Sequence, residues 1–146
     1  MKQRILVVED NRINRELLCD WLETEGYEVT SAEGLDAAFA ALRSQQPHAV
    51  LLDIQLGAQD GATLATWIRQ QPTLRDIPVI AVTAHAMTAE RQRILQAGCN
   101  SCIAKPIDFK MLQDQLDGLL AISAKHSKAT EASPDARGLE GKKRVE

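Results

Sequence analysis

Ile5-Leu6-Val7-Val8-Glu9-Asp10 is the stretch that decides the fold: four apolar residues in succession, then two acids. A strand with one wet face alternates polar with apolar residues, whereas a continuous apolar run suits a strand covered on both faces, as in a parallel sheet. Three more runs share this character: Ala49-Val50-Leu51-Leu52, Val79-Ile80-Ala81-Val82 and the shorter Cys102-Ile103-Ala104. A fifth segment, Tyr27-Glu28-Val29-Thr30, alternates and predicts a half-exposed strand at a sheet edge.

Helical periodicity fills the gaps. Ile13, Leu17, Leu18, Trp21 and Leu22 fall on one face, with Gly26 as the stop. Leu35, Ala38, Phe39 and Leu42 make a second stripe, ended by Pro47. Leu64, Ala65 and Ile68 make a third after an Asp60-Gly61 turn. The fourth, around Met87 to Ala97, is weakly amphipathic because Arg91-Gln92-Arg93 crowds its middle, and Gly98 ends it. Phe109, Leu112, Leu116, Leu119 and Leu120 define the fifth, with Asp108 as N-cap and Ile107 before it. Strand and helix thus alternate five times, which predicts an α/β domain with helices on both faces of a parallel sheet. Residues 1–121 form this domain. Residues 122–146, rich in Ala, Ser, Lys and Glu, read as a disordered or loosely helical tail.

Composition narrows the class. A chain of 146 residues, 45% hydrophobic and 25% charged, can bury a core without staples. A net charge of -3 gives no basic footprint for nucleic acid, so no direct nucleic-acid partner is expected. No apolar run approaches the length of a membrane span, and none is expected. Three cysteines and a charged start that lacks the form of a signal peptide point to a reducing, cytoplasmic setting.

The polar residues that follow the strands carry the chemistry. Glu9 and Asp10 follow the first, Asp53 the third, Thr83 the fourth and Lys105 the fifth. Ligands of open α/β sheets bind outside the carboxyl ends of the strands. Three carboxylates meeting there repel, each like pair by roughly 4 kcal/mol at 4 Å and an effective dielectric of 20. Lys105 returns one charge, and a divalent cation would bring the sum to zero. An all-oxygen donor set suits Mg²⁺, Mn²⁺ or Ca²⁺ over zinc, and a phosphoryl partner suits Mg²⁺. An Asp beside Mg²⁺, Thr and Lys is a sensible nucleophile for phosphoryl transfer.

The segments ILVVEDNRIN, VLLDIQLGAQDG, IPVIAVTAHAM and CIAKPID together resemble the signature blocks of the response-regulator receiver family, across residues 4–120. The resemblance implies a flavodoxin-like, doubly wound, five-stranded parallel sheet of strand order 2-1-3-4-5 with five helices. It implies that Asp53 accepts a phosphoryl group from a phosphohistidine, and that Thr83 and Lys105 hold the phosphoryl oxygens. Asp10 and Asp53 would ligate Mg²⁺, Glu9 would act mostly through water, and the backbone carbonyl of Gln55 would complete the protein's contacts. Lys105-Pro106 would be a cis peptide. The implied partners are a histidine kinase or histidine phosphotransfer protein and a downstream protein target. Such a domain catalyses only its own phosphorylation and dephosphorylation.

Two positions depart from the family's pattern. Cys102 stands where receivers usually carry the aromatic residue that turns inward on phosphorylation. Gly57 stands where a Pro is usual, which loosens that loop entropically.

Each residue alone has a plainer reading. Asp10 suits a helix cap, and Asp53 and Thr83 suit ordinary strand ends; their convergence on one rim is the signal. Cys99-Asn100-Ser101-Cys102 is a CxxC, but it lacks a second pair for zinc and does not open a helix, so packing is the better reading. Cys19 reads as a packing residue, His85 as a solvated one, and Lys142-Lys143-Arg144 is too short for a localisation claim. Three competing functions remain. A Mg²⁺-dependent aspartyl-phosphate phosphatase needs an acid where Gln55 stands. A flavodoxin-like redox protein needs a phosphate loop where Glu9-Asp10 stands. A phosphate-independent degenerate receiver is disfavoured by the intact acids, Thr83 and Lys105.

Overall fold

The structure, a computed structural model, describes residues 2–132. Its elements in chain order are β1 (Arg4–Val8), α1 (Arg12–Thr24), β2 (Glu28–Ala32), α2 (Leu35–Ser44), β3 (Ala49–Asp53), β4 (Gln55–Leu56), β5 (Gln59–Asp60), α3 (Ala62–Gln70), β6 (Val79–Thr83), α4 (Thr88–Ala97), β7 (Ser101–Ala104) and α5 (Phe109–Ala132). The long strands form one parallel sheet in the order β2-β1-β3-β6-β7. That is the expected 2-1-3-4-5 of five parallel strands. The pair β4-β5 is an antiparallel hairpin apart from this sheet, and the sequence reading does not foresee it.

The continuous apolar runs are continuous because successive side chains serve opposite faces. Leu6 and Val8, Val50 and Leu52, Val79 and Ala81 pack beneath α2, α3 and α4. Their neighbours Ile5, Val7, Ala49, Leu51, Ile80 and Ile103 pack against Leu18 and Leu22 of α1 and Leu112, Leu116 and Leu120 of α5. Each fully buried Leu or Ile contributes about 1.5–3 kcal/mol. The alternating segment lies where expected, as β2 at the sheet edge.

The α1 stripe differs from expectation. In α1 only Leu18 and Leu22 are buried, while Ile13 and Leu17 stand 69% and 56% exposed. The stripe is wider than the sheet can cover, and its N-terminal half overhangs the rim. In α4 Ile94 is the one buried side chain. Gly26 and Gly98 close α1 and α4 at φ of 97° and 124°, and Asp108 caps α5 by accepting from the Lys110 and Met111 amides. Helix α5 continues to Ala132, so residues 122–132 carry helical backbone where the sequence reading places a tail; residues 133–146 lie outside the described residues.

Candidate functional site

The carboxyl ends of β1, β3, β6 and β7 bring the sequence-derived residues to one rim. Register sets the depth: Val8 pairs with Leu52, Asp53 with Val82, and Thr83 with Ala104. Glu9 and Asp10, Asp53, Thr83 and Lys105 therefore lie at or just past the last paired residues. Ligand oxygens of Glu9, Asp10 and Asp53 all lie within 4.8 Å of one another. Lys105 Nζ donates to Asp53 Oδ2 at 3.1 Å and sits 3.4 Å from Glu9 Oε1.

Burial makes this cluster electrostatically tense. Glu9 and Asp53 are 2% and 3% exposed, and Asp10 opens to solvent. Burial raises the Glu9 carboxyl to about 7; the Asn11 amide on Oε2 opposes this, the neighbouring Asp53 adds to it, and Lys105 offsets part. Burial lowers the Lys105 ammonium, but the hydrogen bond to Asp53 and the charges of Asp53 and Glu9 outweigh it, so the net shift is upward. One cation does not balance three acids packed this closely, and the all-oxygen donor set fits a small divalent ion.

The other expected residues are also placed. The Gln55 amide donates to Asp53 Oδ1 at 3.1 Å, while its side chain is exposed. Thr83 is fully buried and its Oγ1 accepts from the His85 amide at 3.1 Å, which leaves the hydroxyl proton free to donate. Lys105-Pro106 is cis. Asn11, not Asp10, caps α1: its side chain accepts from the Asn14 amide. The plainer reading of Asp10 as a cap is therefore removed.

Gly57 opens the two-residue turn of the β4-β5 hairpin at φ 61°, a backbone that proline, fixed near -65°, cannot adopt. The missing Pro accompanies a different loop geometry and not simply a looser loop. Cys102 and Cys99 are buried free thiols, and burial pushes Cys102 up and Cys99 up to about 12. Protonated thiols of this kind are neither nucleophiles nor ready metal ligands, which favours the packing reading of the CxxC. His85 is exposed and enters the site through its backbone.

Two residues escape the sequence reading. Arg15 in α1 donates to the backbone carbonyls of Glu9 and Asp10. Gly61 lets its chain pass so close that an added Cβ would lie 2.3 Å from the Asp53 carbonyl oxygen. A lone Arg on a helix and a Gly after Asp carry no distinctive spacing, so tertiary contact alone singles them out.

Known proteins share this fold. The family model of the response regulator receiver domain matches residues 5–117. The polar-differentiation response regulators DivK of Brucella anthropi and Brucella ovis are each 43% identical over 108 residues, 73% of this chain and 87% of theirs. A putative response regulator from Chloroflexus aurantiacus superposes with a TM-score of 0.79 at 29% identity, over 83% of this chain and 99% of its own. The receiver domain of the Pseudomonas aeruginosa sensor histidine kinase PA1611, which holds a magnesium ion in its active-site cleft, gives 0.73 at 36% identity, over 83% and 99%.

Proposed function

The chain belongs to the response regulator receiver family of two-component signalling, and we propose that it is a phosphoacceptor switch modified on Asp53. The observation that carries this reading is the buried Asp53 carboxylate, held by Lys105 within an acidic cluster at the sheet rim. A phosphatase of this chemistry would need an acid where Gln55 stands, and a redox protein a phosphate loop where Glu9-Asp10 stands.

An oxygen of Asp53 attacks the phosphorus of a phosphohistidine on a partner. The P–N bond breaks, its electron pair returns to the imidazole nitrogen, and that nitrogen takes up a proton. An acyl phosphate on Asp53 results. Lys105 and the Thr83 hydroxyl hold phosphoryl oxygens, and the Gln55 amide fixes the carboxylate by its hydrogen bond to Oδ1. Asp10, Asp53, the Gln55 backbone carbonyl and, through water, Glu9 would hold Mg²⁺. When bound, Mg²⁺ supplies the charge that neutralises the acids and the phosphoryl oxygens.

The donor is a histidine kinase or a histidine phosphotransfer protein. A groove of about 480 Å³ beside Glu9 and Lys105, lined by Asn14, Leu17, Pro106 and Phe109, gives it an apolar approach to the rim. The modified form acts through protein partners, with α4, β7 and α5 as the face they read. The chain works in the cytoplasm and turns over no separate substrate; among the described residues no helix is long and apolar enough to cross a membrane.

Intact mass after incubation with acetyl phosphate tests this. A Mg²⁺-dependent gain of one phosphoryl group, absent in Asp53→Asn, is expected. No adduct with any concentration of Mg²⁺ would overturn the switch and favour a receiver that signals without phosphate.

A further inference from the structure

The loop carrying two of the three site acids is held in an uneven way. Glu9 is anchored at its amide, which donates to the Ala32 carbonyl at 3.0 Å, and at its carboxylate, which accepts from the Asn11 amide and meets Lys105. Asp10 has no such anchor: among the described residues its carboxylate accepts no hydrogen bond and joins no ion pair. Its place in the cluster is therefore set by its backbone.

That backbone is gripped by one side chain. Arg15 Nη1 donates to the Glu9 carbonyl at 2.9 Å and reaches the Asp10 carbonyl at 3.4 Å, the two oxygens on either side of the Asp10 amide. Arg15 Nη2 lies 3.9 Å from Glu33 Oε2, just past the Ala32 carbonyl that takes the Glu9 amide. The side chain is only 16% exposed, so it does not sweep freely through solvent. The guanidinium also sets a fixed positive charge behind a loop that presents two acids.

We infer that Arg15 is the positioning residue of the metal site, holding the Asp10 backbone so that its carboxylate is ready for Mg²⁺ before the ion arrives. The inference rests on the receiver reading above. Both carbonyls are served by Nη1, whose two protons lie in the guanidinium plane while Nη2 faces Glu33; lysine, a point charge on a flexible stem, does not hold that fixed arrangement. Residues that orient metal ligands without touching the metal typically change affinity by roughly 10–100-fold when removed.

The test uses the full chain and two substitutions, Arg15→Met and Arg15→Lys. Mg²⁺ dissociation constants are measured by titration calorimetry, beside thermal denaturation without metal and the acetyl phosphate rate as a function of Mg²⁺. Arg15→Met is expected to weaken Mg²⁺ binding by roughly tenfold or more. Its phosphorylation rate is expected to return to near the wild-type value once Mg²⁺ saturates, because readiness of the site and not its chemistry is lost. Arg15→Lys recovers part of the affinity. A wild-type Mg²⁺ constant in both variants, with only a lower melting temperature, would make Arg15 a structural staple and overturn the inference. If Arg15→Met does not fold, Arg15→Lys decides alone: affinity equal to wild type overturns it, weaker affinity at unchanged melting supports it. Failure of the wild-type chain itself to bind Mg²⁺ would instead sink the phosphoacceptor reading.

Discussion

At the scale of single residues the site holds destabilising charge. Glu9 is buried among acids, and its carboxyl stays protonated to about 7 in the folded chain, against an ordinary value of 4.5. A carboxyl raised on folding adds stability that is complete below the unfolded value and is lost as pH rises through the folded one. The window here runs from 4.5 to about 7. Metal-free Glu9→Gln should therefore gain stability over the wild type across that window, and the gain should level off above it. Melting curves of the two proteins in EDTA at pH 5, 6, 7 and 8 check this; a pH-independent difference would refute it. Gly61 makes the second residue-scale prediction. A Cβ there would press on the Asp53 carbonyl oxygen and on Ile54 Cα at 2.3 and 3.0 Å. Gly61→Ala should cost roughly 1–3 kcal/mol in urea denaturation, and it should slow phosphorylation by moving the Asp53 backbone.

Among the elements, one polar side chain ties the end of α3 to the segments around it. Arg69 at the end of α3 donates to the carbonyls of Gly98, Arg75 and Ile77 and to Asn100 Oδ1, all at 2.7–2.8 Å. Asn100 Oδ1 also accepts from the Val79 amide at the start of β6. One side chain thus secures the end of α4, the loop into β6 and the entry to β7. Hydrogen bonds to charged groups contribute roughly 1.5–3 kcal/mol each and do not add fully, so Arg69→Met should lose about 3 kcal/mol. Urea midpoints at constant slope are the measurement. The sequence marks α4 as the weakest helix because of its crowded charges, and the single buried Ile94 agrees. It does not show where those charges go: Arg91 takes the Cys102 carbonyl, and Arg93 pairs with Glu90 and Asp60.

For the whole molecule, a metal that binds only the folded state stabilises it by mass action. Mg²⁺ at about a hundred times its dissociation constant should add about 2.7 kcal/mol, which is roughly 10 °C of melting temperature in a domain of this size. EDTA should reverse the shift, and Asp10→Asn should abolish most of it. The shift should be larger at pH 8 than at pH 5, where Glu9 is already neutral.

The sheet, its edge strand and the polar residues that meet at its rim are legible in the sequence. Each follows from local chemistry: unbroken apolar runs must be covered on both faces, and polar groups at strand ends must meet at one rim. How that rim is held follows instead from packing and backbone geometry. The turn from Ile13 and Leu17 toward solvent, the β4-β5 hairpin around Gly57, the close pass of Gly61 at Asp53 and the grip of Arg15 on the Asp10 backbone all depend on how neighbouring segments fold back on one another. A guanidinium that binds a carbonyl leaves no periodicity behind, because any residue supplies the same carbonyl. Patterning therefore names the acids, and packing alone fixes how they are aimed.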